Sequence, residues 1–274
     1  MRIAILSDIH ANEEALRATL LAIEEAAVDR ILCLGDIVGY NTNPAECAAL
    51  LRQADALCVA GNHDRAATGQ IGTEGFGLTA ARAIAWTQRR LDGDLRHFLA
   101  GLPLKLGIDG QVVAVHGALH PDHGCELVRL DSDERRLLSF EALAAHPSGA
   151  RICAYGHTHR AGVHEYRDGQ IRCLSGDEIA LRDDAYYLVN PGTVGEPRTG
   201  DPRASFVILD MAHRRISIRR VAYDRSVPVG KTRKAGLAPP LSFLPEPVRA
   251  VLKRGLRVFG LHGAARKTLR RLRR

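Results

Sequence analysis

The chain has 274 residues, of which 46% are hydrophobic and 25% charged, with six Cys and a formal net charge of +7. Such a composition supports a sizeable buried core without disulfide staples, and no apolar run approaches the ~18 residues that a membrane-spanning helix needs. The charge is unevenly placed: positions 231–274 hold 13 Lys and Arg against the single acid Glu246, while positions 1–230 hold 25 Lys and Arg against 30 acids.

Arg2 to Ser7 reads as a strand entered at once, with no basic and apolar leader before it, so no signal peptide is expected. Asn12 can cap a helix whose first turn carries Glu13 and Glu14, where acids favour the positive end of the dipole. Ala15 to Ala27 continues it with helical period and propensity. Arg30–Leu34 is a second short apolar run. Asn43-Pro44 opens a second helix, since proline suits the first helical position, and Ala56–Ala60 is a third strand. This βαβαβ alternation argues for a parallel sheet with its loops gathered at the strand carboxyl ends, where ligands usually bind.

Residues 65–102 read as a mostly helical insert with glycine breaks. Lys105–Ile108 and Gln111–Val115 flank Asp109-Gly110, a hairpin signal. Ser132–Ala145 is a helix and Arg151–Tyr155 a strand. The segments Val163–Tyr166, Ile171–Ser175, Tyr186–Val189, Ser205–Asp210 and Arg215–Val221 read as an antiparallel meander. Two sheets with helices outside make a layered α/β sandwich. Cys33, Cys47, Cys58, Cys125, Cys153 and Cys173 show no CxxC pair or framework spacing, so all six are expected unpaired, as in a reducing cytoplasm.

Five segments place polar, metal-binding side chains directly after a strand-like run: Ser7-Asp-Ile-His10, Gly35-Asp36, Gly61-Asn-His-Asp64, Val115-His-Gly117 and Gly156-His-Thr-His159. Each has a bland reading by itself. A strand-end Asp can cap a helix, a lone His116 can be a bonded core histidine, and His157 and His159 can bracket a turn. Together, with strands side by side, they bring Asp8, His10, Asp36, Asn62, His116, His157 and His159 to one cavity. Imidazole, carboxylate and amide oxygen suit Mn, Fe, Zn or Ni rather than Ca or Mg alone. Seven ligands exceed what one catalytic ion with open positions accepts, whereas two divalent ions sharing Asp36 account for them.

The order of these motifs resembles that of the calcineurin-like metallophosphoesterase superfamily: D-x-H, G-D, G-N-H-[DE], a lone H, then G-H-x-H. Asn190-Pro-Gly-Thr-Val-Gly-Glu-Pro-Arg198 is similar to a stretch of its small bacterial and archaeal phosphodiesterase branch. The resemblance covers about residues 1–220 and implies a four-layer αββα sandwich, two mixed sheets flanked by helices, with the catalytic domain over 1–225. It also implies one metal held by Asp8, His10, Asp36 and His159, and a second by Asp36, Asn62, His116 and His157. His63 would protonate the leaving oxygen or steady the phosphoryl group, with Asp64 fixing its tautomer, while a metal-bridging hydroxide attacks phosphorus. Arg198, and Asn12 unless capping occupies it, would reach the phosphate. The chain departs from relatives with G-Y-G-P after the G-D strand, having Gly39-Tyr-Asn-Thr42, and it carries long inserts over 65–102 and 118–150.

The implied activity is hydrolysis of a phosphate ester, a phosphodiester ahead of a phosphomonoester or nucleotide. A nuclease of the same fold and a non-catalytic metal-binding scaffold are the competing readings. The basic tail, 226–274, is interrupted by prolines and carries Val248, Val251, Leu252, Phe259, Leu269 and Leu272 among its arginines. It can be an amphipathic helix on an anionic membrane, an arm on nucleic acid, or a helix docked on the acidic body.

Overall fold

In the computed structural model, which describes residues 1–238, alternation along the first strand already divides the core. Strand β1, Arg2–Leu6, sends Ile3 and Ile5 to one face and Ala4 and Leu6 to the other, and all four are fully buried. A strand buried on both faces needs cover on both. Helices α1 (Glu13–Glu25), α2 (Pro44–Gln53), α3 (Asn62–Thr68), α4 (Leu78–Gln88) and α5 (Gly93–Ala100) pack with Ala4 and Leu6, while a second sheet packs with Ile3 and Ile5.

The first six-stranded sheet has the order β3-β2-β1-β11-β12-β9, with β2 at Arg30–Cys33, β3 at Leu57–Cys58, β9 at Glu178–Ala180, β11 at Ala204–Asp210 and β12 at Arg215–Val221. Strands β1, β2 and β3 are parallel, and β11 joins β1 antiparallel. The second sheet has the order β4-β5-β6-β10-β7-β8. Its strands are Lys105–Ile108, Val112–Val115, Ile152–Ala154, Tyr186–Asn190, Gly162–Arg167 and Gln170–Leu174. Here β5, β6 and β10 run parallel. Helix α6, Asp133–Ala144, covers its outer face through Phe140 and Leu143. Four layers result: helices, sheet, sheet, helix. The six cysteines are free, five of them buried.

The expected meander is corrected in one respect: its five segments divide between the sheets. Strands β7, β8 and β10 stay in the second sheet, and residues 191–203 carry the chain across to β11 in the first. Strand β11 is buried at six of its seven positions and therefore takes a central place beside β1. The short edge strand β9, with only Ile179 buried, gives too little pattern to be read in advance.

Residues 226–238, at the start of the basic tail, lie against the body. Helix α7, Ser226–Lys234, sets Lys231 Nζ 2.5 Å from Glu14 Oε1 and 3.5 Å from Glu13 Oε2, at the N-terminal turn of α1. Thr232 Oγ1 donates to Asn41 Oδ1 at 3.0 Å, and Leu237 and Ala238 are buried. The apolar and arginine positions from Val248 onward lie outside the described residues.

The layer between the sheets holds the two strand-end edges in register, so a void there weakens the whole frame. Leu32, fully buried on the inner face of β2, tests this: Leu32→Ala is expected to cost about 2–5 kcal/mol of unfolding free energy in a urea titration.

Candidate metal centre

The parallel strands of both sheets end on one edge, and the polar segments begin there. Asp8 and His10 follow β1, Asp36 follows β2, and Asn62, His63 and Asp64 form the first turn of α3 just after β3. His116 follows β5 directly, and His157 and His159 follow β6. Contacts across the two sheets bring all of these together.

His159 Nε2 lies 3.1 Å from Asp8 Oδ1 and 3.1 Å from His10 Nε2, which is itself 3.8 Å from Asp8 Oδ1. Asp36 Oδ2 lies 3.7 Å from His10 Nε2 and 3.4 Å from His116 Nε2, and His116 Nε2 is 3.1 Å from Asn62 Oδ1. His157 stands beside His116, ring centroids 5.1 Å apart, and groups with it and Asp36. Donors bonded to one ion at about 2.0–2.2 Å sit roughly 3–3.5 Å from one another, close to these spacings.

The hydrogen bonds around the cluster turn its donors inward. Nδ1 of His10, His116 and His159 points at the carbonyl oxygens of Val38 (3.2 Å), Leu34 (2.7 Å) and Glu196 (2.8 Å). A carbonyl only accepts, so each ring carries its proton on Nδ1 and leaves Nε2 to face the cavity. The Nε2 atoms of His10 and His159 face each other at 3.1 Å across the cavity, an approach that suits a cation between them. The carboxylates repeat the arrangement. Asp8 Oδ2 accepts from His157 N (3.0 Å) and Asp36 Oδ1 from His63 N (2.8 Å), while Asp36 Oδ2 faces the imidazoles. Asp8 Oδ1 is buried and faces His159 Nε2 at 3.1 Å and His10 Nε2 at 3.8 Å. The residues present fit a divalent ion.

Charge states agree with that fit. Burial alone would raise the carboxyls of Asp8 and Asp36, but the imidazoles beside them, His159 and His116 respectively, outweigh it and hold both below the ordinary range. Burial, then the charge of His63, lowers His10, while burial and His116 bring His157 down to about 3. Burial would lower His116 too, but Asp36's charge and hydrogen bond, joined by Asp8, push it up to about 9.

The backbone is strained where these side chains leave it. Asp8, His10, Asp36, His157 and His159 have φ of 55°, 52°, 52°, 62° and 60°. In D-x-H and in H-x-H alike, the first and third residues are left-handed. Such conformations cost of order 1–3 kcal/mol each and persist only where the surroundings over-determine them. Two glycines permit the close approach: a Cβ on Gly61 would collide with the carboxylate and amide of Asp36, and one on Gly156 with Ser7 and Asp8.

Two expected roles are corrected. Asp64 does not bond to His63: its Oδ1 accepts from Ile37 N (2.9 Å) and Val38 N (3.1 Å), and its Oδ2 from Gly61 N (2.9 Å). It ties the Asp36 loop to the start of α3, and burial together with Asp36 pushes its carboxyl up to about 7. Among the described residues, Nδ1 of His63 is buried without a hydrogen-bond partner. Asn12 does not face the cavity with a spare amide. Its Oδ1 caps α1 through Ala15 N (3.2 Å), and its Nδ2 donates to Gly195 O (2.9 Å) and Tyr223 Oη (3.2 Å). Arg198 stands at the rim, where its Nη2 donates to Tyr40 Oη at 3.2 Å.

The Asn190–Arg198 stretch also carries bracing that its sequence does not disclose. Asn190 Nδ2 donates to Gly156 O (2.8 Å), Thr193 Oγ1 donates to Asp8 O (2.8 Å), and Glu196 O receives His159 Nδ1. Tyr40 matches the tyrosine of the relatives' G-Y-G-P without a role attached to it, yet its ring lies 4.7 Å from that of His10.

A model of the calcineurin-like phosphoesterase superfamily domain matches residues 1–214. A protein of Methanocaldococcus jannaschii, itself uncharacterized, is 37% identical over 234 residues, 81% of this chain and 88% of its own. Among solved structures, a metallophosphoesterase from Sphaerobacter thermophilus is 33% identical, with 91% of this chain and 97% of its own covered and a TM-score of 0.71. A hypothetical protein from Pyrococcus horikoshii OT3 shares the fold at 17% identity, covering 92% and 97%, with a TM-score of 0.69.

If Gly61 is needed to seat Asp36, Gly61→Ala should keep the circular dichroism spectrum of the parent. Its affinity for Mn²⁺ by calorimetry should fall about 10–100-fold, the range for disturbing the support of a metal ligand.

Proposed function

The chain belongs to the calcineurin-like phosphoesterase superfamily and is a metal-dependent phosphoesterase; from that premise we propose that it hydrolyses phosphodiesters at a pair of divalent ions. The observation that carries this reading is the ring of inward-facing donors on buried residues: Asp8 Oδ1 beside His159, Asp36 Oδ2 between two imidazoles, and the Nε2 atoms of His10, His116 and His159. Asp8, His10, Asp36 and His159 would hold one ion, and Asp36, Asn62, His116 and His157 the other. Asp36 would be the shared ligand, since its Oδ2 faces both His10 and His116. The donor chemistry suits Mn, Fe, Zn or Ni. When bound, the ions supply Lewis acidity that polarises the phosphoryl oxygens and activates water at neutral pH.

The remaining work falls to side chains that are not ligands. His63 has Nδ1 buried against Gly39, which leaves Nε2 as the nitrogen able to hand a proton to the leaving oxygen. Burial lowers its pKa, but Asp36 opposes that, and an incoming phosphate adds a second negative charge favouring the protonated ring. Arg198, tethered to Tyr40 at the rim, is placed to take a non-bridging phosphate oxygen. The preference for a diester draws on the Asn190–Arg198 stretch.

Metal-stripped protein with Mn²⁺, Fe²⁺, Zn²⁺ or Ni²⁺ restored should release p-nitrophenol faster from bis-p-nitrophenyl phosphate than from p-nitrophenyl phosphate. Equal or reversed rates would move the assignment to a monoesterase. Asp36→Ala should lose both rates and the paired metal content. His63→Ala should keep the metal content and lose about 10²–10⁴-fold with poor leaving groups. Binding should also be linked to pH. With His116 pushed up to about 9, the metal-free site holds a proton at neutral pH that an ion must displace. Affinity for Mn²⁺ should therefore rise as pH increases towards about 9 and flatten above it, with proton release visible in calorimetry across buffers of different ionisation enthalpy.

A further inference from the structure

Among the described residues, none hydrogen-bonds to the His63 ring to set its orientation. Asp64 is engaged by three backbone N–H groups, Nδ1 of His63 is buried and unbonded, and the residue it faces is Gly39, where a Cβ would collide with Nδ1. What surrounds the imidazole is aromatic. The Tyr40 ring lies 4.9 Å from it at 33°, and the Phe76 ring 5.1 Å at 37°, centroid to centroid. His10 meets it edge-on at 4.7 Å and 69°.

We propose that Tyr40 and Phe76 form an aromatic clamp that orients His63, in place of a hydrogen-bonded carboxylate; the inference rests on His63 being the proton donor to the leaving oxygen. The two clamping rings come from different parts of the fold. Tyr40 follows the Asp36 loop with φ of 56°, sets its ring 4.7 Å from His10 at 88°, and receives Arg198 Nη2 on its hydroxyl. It is fixed at both ends. Phe76 belongs to the insert, between α3 and α4, and packs against the core beneath the helices. The insert thus touches the chemistry through this ring.

Tyr40 and Phe76 are positioning residues, and their effect should follow the leaving group. Across a series of aryl phosphodiesters, log kcat of the metal-loaded enzyme should fall more steeply with leaving-group pKa in Phe76→Leu than in the parent. Phenyl and alkyl leaving groups should lose about tenfold, a part of the ~10²–10⁴-fold range of general-acid help. Phe76→Tyr, which keeps a ring, should restore the shallower slope, and neither change should alter bound metal. In metal-free protein, the His63 ring protons should lose part of their upfield ring-current displacement in Phe76→Leu. An unchanged slope in Phe76→Leu beside a steepened one in His63→Ala would overturn the clamp alone. An unchanged slope in His63→Ala would overturn the proton-donor role, and the clamp with it.

Discussion

Asp8 and Asp36 are buried carboxylates held below the ordinary range and turned towards a common cluster of imidazoles, with His10 between them, and a low-dielectric interior tolerates that only with compensating positive charge. Each carboxylate has one oxygen anchored by a backbone N–H and the other facing the cavity. Three histidines present Nε2 to the same space because their Nδ1 atoms are held by main-chain carbonyls. Five left-handed residues, at about 1–3 kcal/mol apiece, add strain that packing must offset. The cation pair proposed here would relieve the repulsion and offset the strain, which would couple metal binding to local stability at this edge of the fold.

The centre straddles two sheets, which makes their separation a functional quantity. Asp8, His10, Asp36 and Asn62 come from the first sheet, and His116, His157 and His159 from the second. Bonds that cross between them are part of the cage: His116 Nδ1 to Leu34 O, and His157 N to Asp8 Oδ2. Beneath them Ile3, Ile5, Leu32, Val112, Ala114 and Ile152 fill the space between the sheets. Such a rigid double layer holds ligands to the tolerance that a metal site needs.

The parts of this arrangement that obey local rules were legible in the sequence. Ile3 to Leu6 reads as a strand because every residue is apolar, and Pro44 marks the start of a helix wherever that helix packs. Asp8, His10, Asp36, Asn62, His116, His157 and His159 were found because each follows an apolar run, and the structure brings them together. What escaped depends on partners distant in sequence. A period of two does not say which sheet a strand joins, so the split of β10 from β11 was hidden. Asp64 next to His63 invited a pairing, yet a helix start places neighbouring side chains on different sides, and Asp64 met the amides of Ile37, Val38 and Gly61 instead. Asn12 was readable as a cap, but Gly195 and Tyr223, which claim the rest of its amide, lie more than 180 residues away. Tyr40 matches the tyrosine of the relatives' G-Y-G-P and Phe76 lies in no motif, but neither position discloses a contact with His63, which arises only where the Asp36 loop meets the insert.

The most direct test of the paired-ion centre is anomalous diffraction from crystals of the protein grown with Mn²⁺. Two anomalous peaks are expected, one among Asp8 Oδ1, His10 Nε2 and His159 Nε2, the other among Asn62 Oδ1, His116 Nε2 and His157, with Asp36 Oδ2 touching both. A single peak that leaves Asp36 bound on one side only, or no peak within this ring of donors, would contradict the account.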